Sequence, residues 1–116
     1  MARCCIVPND VLPARVNQHV MIVRPIAGEL MSYYIMFTLC SSENKAKLLG
    51  IGQSGSTREA INKQELESYE IPLPDEITLN KFGNIAKCMY ENIQENVKEC
   101  LALEQVKSVL LAKLSR

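Results

Sequence analysis

Hydrophobic positions change their period along this chain. Over residues 16–24 they alternate as in a strand, with Val16, Gln18, Val20 and Ile22 on one face and Asn17, His19, Met21 and Val23 on the other. The end of that run is apolar on both faces, which predicts a buried strand closed by Pro25 and Gly28. Beyond it, Leu30, Tyr33, Tyr34, Phe37 and Cys40 recur at three- and four-residue steps, predicting a helix over 29–42 and a second short one over 43–49. Gly50, Gly52 and Gly55 then mark a loop reaching Thr57 or Arg58. Asn62 is placed to cap a turn of helix over 63–66. Two shorter strands are expected at 3–7, stopped by Pro8, and at 69–73, where Pro72 and Pro74 suit only an edge.

From Ile77 the pattern becomes a heptad. Phe82, Met89, Asn96, Leu103 and Leu110 fall seven apart, and Ala86, Ile93, Cys100, Lys107 and Leu114 interleave with them. Eight of these ten positions are apolar, over four heptads, which is a coiled-coil signature. Ile85, Tyr90, Val97, Val106 and Leu111 widen the stripe, as if the helix met its own domain on one side and another helix on the other. Asn96 and Lys107 interrupt the seam, either as tolerated defects or as residues that set register. The expected fold class is α+β: a small mixed globule of short strands and helices over residues 1–75, then a long coiled-coil helix over 76–116.

Composition narrows the function. With 116 residues and 47% apolar content, the chain has material for one modest core. No apolar run nears the roughly 18 residues that span a bilayer, and the start of the chain lacks the apolar stretch of a secretion signal. The expected location is therefore cytoplasmic, with no membrane partner. Five cysteines in no CxxC pair suit reduced thiols, and with a single histidine they supply no metal site. Thirteen basic residues balance 13 acidic ones, with seven against eight over residues 1–75 and six against five over 76–116. Neither part has the basic excess of a stand-alone DNA binder.

The stretch GQSGSTREAINKQELESYEIPLP, followed at once by the long helix, resembles the end of a target-recognition domain in the specificity subunit of type I restriction-modification enzymes. VNQHVMIVRP resembles that family's central strand, and ELMSYYIMFTLCSSENKAKLL the helix after it. ARCCIVP is similar to its upstream strand, with Ala2 where glycine is usual. The resemblance runs from about Arg3 to Arg116 and implies the later part of one recognition domain plus one spacer helix. It implies a DNA-recognition and assembly component without catalysis or cofactor of its own. Its partners would be double-stranded DNA, the methyltransferase (modification) subunit and, through that, the restriction subunit. A homodimer through the helix would mimic the two-fold arrangement of a full subunit.

In that reading Gln53, Ser54, Ser56, Thr57 and Arg58 offer donors to phosphates and base edges, with Arg3, Arg15 and Lys63 as further cations. The plain alternative for these residues is a surface loop and ordinary solvated charges. The sequence holds no phosphate-binding GxxxxGK[ST] and no Asn/Asp-Pro-Pro-Tyr/Phe methyltransferase motif, and nothing places a cysteine beside His19. A second function class therefore stands beside the first: a coiled-coil dimerisation module whose globule does not bind DNA.

Overall fold

A strand needs a neighbour to take up its N–H and C=O groups. In the computed structural model, which describes residues 3–54 and 61–115, the segments with strand-like patterns find none. The described residues form a one-turn 3-10 helix (Asn9–Val11) and four α-helices: α1 (Glu29–Cys40), α2 (Ser42–Ser54), α3 (Lys63–Glu67) and α4 (Glu76–Leu114). None of them is in a strand, so the expected α+β class is corrected to all-helical. The physical reason is pairing. Residues 3–7 lie on helices, with the Tyr90 hydroxyl donating to the Ile6 carbonyl at 2.6 Å. Residues 69–73 are likewise held by side chains, and residues 16–24 are broken by a turn. In that turn the Val20 N–H donates to the Asn17 carbonyl at 3.2 Å and the His19 N–H to Asn17 Oδ1 at 2.9 Å.

Local chemistry explains where the helices start. Gly28 precedes α1 at φ 89° and ψ −177°, a conformation essentially confined to glycine. Ser41 separates α1 from α2, its hydroxyl accepting from the Asn44 backbone at 3.3 Å and side chain at 3.0 Å. Asn62 and Glu65 form a capping box on α3, at 2.9 and 2.8 Å. Asp75 caps α4, accepting from the Thr78 N–H at 2.8 Å and the Thr78 hydroxyl at 2.8 Å. Those bonds, the backbone one foremost, hold the Asp75 carboxyl below its ordinary pKa. The loop expected from Gly50 is corrected at its start, where α2 runs through Gly50 and Gly52 to Ser54; the rest of it lies outside the described residues.

The core lies where α1 packs against α4 on one side and α2 on the other. Met31, Tyr33, Leu39, Leu48 and Ala86 are its buried apolar residues. A Cβ on Gly83 would stand 2.7 Å from the Leu30 Cβ, so the two helices meet as closely as a glycine allows. Tyr33 packs edge-on to Tyr90 at 5.8 Å, and Phe82 receives Tyr34 and Phe37 edge-on at 6.1 and 5.8 Å. Lys87 on α4 pairs with Glu29 on α1 at 2.8 Å. Tyrosine hydroxyls then tie the connecting segments down. Tyr34 donates to the Pro72 carbonyl at 2.6 Å, and Tyr69 to Asn44 Oδ1 at 2.5 Å.

Candidate helix-pairing surface

Helix α4 has 39 residues, which at 1.5 Å each is about 58 Å. Helix α1 has only 12, so it can accompany α4 over a fraction of that length. The face that α1 uses carries Gly83, Ala86 and Tyr90, at the three- and four-residue steps that share one side of a helix. Beyond the half-buried Gln94 no described residue covers α4, and every residue of 95–114 is exposed.

The expected seam divides accordingly. Ala86 is 4% exposed, inside the globule, and Phe82 is at its edge. Met89, Ile93, Asn96, Cys100, Leu103, Lys107, Leu110 and Leu114 are all exposed on one continuous stripe. That stripe is rotated from the α1-contacting face, so the helix does meet its own domain on one side, while the other side stands bare. Ile93, Asn96, Val97, Cys100, Leu101 and Glu104 line a shallow open groove. A second groove further along is lined by Ala102, Gln105, Val106, Val109 and Leu110. Leu101 and Val109, which the heptad count passes over, are exposed apolar residues outside the seam. Their signal was apolar content on several faces of the last four turns.

Burying an exposed leucine, isoleucine or methionine gains about 1.5–3 kcal/mol. A second helix laid on this stripe would cover several at once. Asn96 and Lys107 keep it from being wholly apolar and restrict which registers bury no unpaired polar group.

The residues expected to touch DNA are not gathered into a described site. Gln53 is exposed in the last turn of α2, and Ser54 ends that helix. Ser56, Thr57 and Arg58 lie outside the described residues. Arg3 and Arg15 are exposed on the segment before α1. Lys63 sits at the start of α3 with its ammonium 3.4 Å from Glu67, a carboxylate that competes with any phosphate for it.

All five cysteines are free thiols. Burial, and then its neighbour Cys40, push the Cys4 thiol above its ordinary pKa. The described residues hold no group of three metal-ligating side chains, and none of their helices is long and apolar enough to cross a membrane.

The fold and surface define a class no narrower than a small helical globule carrying a long, half-bare helix. No protein-family model, no curated protein and no solved structure matches the chain.

Proposed function

We propose that this chain is a non-catalytic assembly component of a type I restriction-modification system, a specificity-subunit chain that works through α4. The seam of α4 pairs with the same helix of a second copy. The further apolar positions, Leu101, Val106 and Val109, give a modification subunit its footing. The globule contributes DNA contacts from Gln53, Ser54, Ser56, Thr57 and Arg58, with Arg3, Arg15 and Lys63 as further cations. Methyl transfer and cleavage belong to the partner subunits, and this chain needs no cofactor.

One observation carries the assembly part: 20 consecutive residues of α4, 95–114, are exposed although apolar side chains recur on more than one face. A helix apolar over so much of its surface is one that is covered when at work. The DNA part is supported by the sequence resemblance. A second reading, a dimerisation module that does not bind DNA, is favoured by the zero net charge and by the Lys63–Glu67 pair.

The test mixes the chain with a modification subunit and duplex DNA at low and moderate salt. The first reading expects a larger complex that discriminates between duplex sequences. Binding that ignores sequence and fades steeply with salt is counterion release alone and favours the second reading. A chain that joins neither the modification subunit nor DNA removes the restriction-modification assignment.

A further inference from the structure

The fold brings two of the five thiols together, although no motif in the sequence joins them. Over residues 3–8 exposure alternates: Cys4, Ile6 and Pro8 are half-buried, while Arg3, Cys5 and Val7 are exposed. Cys4 therefore faces the globule and its neighbour Cys5 faces away. Cys40 closes α1 and meets that inward face. Its thiol donates to the Cys4 carbonyl at 4.0 Å, 36 residues back along the chain, and the two thiols lie within hydrogen-bonding reach of each other. Cys40 is exposed, so a small oxidant reaches it; Cys4 is the more covered of the two. Cys5, one residue away, has the wrong side of the chain.

We infer that Cys4 and Cys40 form a redox-sensitive dithiol, which hydrogen peroxide closes to a disulfide and a thiol reductant reopens. The Cys40 thiolate attacks the O–O bond of the peroxide. An S–O bond forms, and the hydroxide that leaves takes up the proton Cys40 had lost, giving water. Cys4 then attacks the Cys40 sulfenic sulfur. The S–S bond forms, the S–O bond breaks, and the departing oxygen leaves with the Cys4 proton as a second water. The two thiols lose two electrons and one peroxide gains them. Two thiols of a reductant return those electrons, with two protons, by exchange. The disulfide ties the first segment, which Tyr90 otherwise holds at the Ile6 carbonyl, to the end of α1. A cross-link over 36 residues limits the unfolded chain. It counts for more in a globule whose described residues include five buried apolar side chains. The bare half of α4 takes no part, so this device is independent of helix pairing and of DNA contact.

The test treats the reduced full chain with a few equivalents of hydrogen peroxide, blocks the remaining thiols by alkylation, and maps the disulfides by peptide mass spectrometry. The expected product is an intramolecular Cys4–Cys40 bond, broken by dithiothreitol. Cys5→Ser should still form it, and Cys4→Ser should not, with circular dichroism confirming that each variant is folded. Oxidation should raise the melting temperature of Cys5→Ser by at least about 5 °C, and dithiothreitol should reverse the rise. Fragmentation of the native chain's peptides assigns the bond even if a variant fails to fold. Cys40 joined instead to Cys5 or to a second copy, peroxide that carries Cys40 on to sulfinic acid with no disulfide, or a disulfide that leaves the melting temperature unchanged would each overturn the inference.

Discussion

At the scale of single residues, Gly83 and the tyrosines hold the globule together. Glycine inside a helix costs roughly 1 kcal/mol against alanine, so Gly83 needs a compensating reason, and the Leu30 side chain supplies it. Gly83→Ala should therefore destabilise the fold by about 1–3 kcal/mol, the range for overpacked cores, despite the better helix propensity. Urea denaturation measures this, and a stabilised variant would show that the close approach is not needed. Tyr90 anchors the first segment to α4. Tyr90→Phe removes the bond to Ile6 and should cost about 0.5–1.5 kcal/mol in the same assay. Burial raises the phenol pKa of both Tyr33 and Tyr90 above the ordinary 10.0. The folded value is the higher one, so this contribution is complete below pH 10.0 and is lost as pH climbs through the folded value. Melting temperature should fall on the alkaline side, and less steeply in Tyr90→Phe. The aromatic spacing was readable as a core face. The carbonyls that Tyr34 and Tyr90 reach are 38 and 84 residues away, and no local pattern encodes them.

At the scale of elements, the helices were legible and the strands were not. Helical periodicity and caps are local, and the expected starts at Glu29, Lys63 and the Asp75 boundary fall at or beside the observed ones. The long helix α4 follows from the heptad; of the expected seam positions Ala86 is taken by the globule, and those from Met89 on are exposed. A strand is decided by its neighbour, and Val20 to Val23 has none among the described residues, so an accurate reading of residue preference gave a wrong fold class. Gly50 and Gly52, expected in a loop, are tolerated inside α2. Substitution at the bare stripe separates pairing from folding. Leu103→Glu sits nine residues past the last half-buried position of α4, so circular dichroism of the dilute chain should change little while self-association falls at least about tenfold, the equivalent of 1.4 kcal/mol. Loss of the helical signal in that variant would mean that residue 103 supports the fold itself. Asn96→Leu tests the seam's polar break. It should strengthen association and relax its register, seen as more than one oligomer by sedimentation velocity. An unchanged oligomer would mark Asn96 as a tolerated defect.

At the scale of the whole molecule, the core is small and the uncovered apolar surface large. The radius of gyration is 18.6 Å, where a compact chain of this length would have about 13 Å. The longest axis, 59 Å, is essentially that of α4. Among the described residues five apolar side chains are buried, on α1, α2 and the first part of α4, and the outer half of this 39-residue helix covers none of them. The account rests on that outer half being an interface. The most direct test is the mass in solution by light scattering at micromolar concentration, for the chain of 13.0 kDa and for Leu103→Glu. The account predicts a dimer of the native chain and a monomer of the variant. A native chain that stays at 13.0 kDa would contradict it, since the stripe on α4 would then be stable in water without a partner.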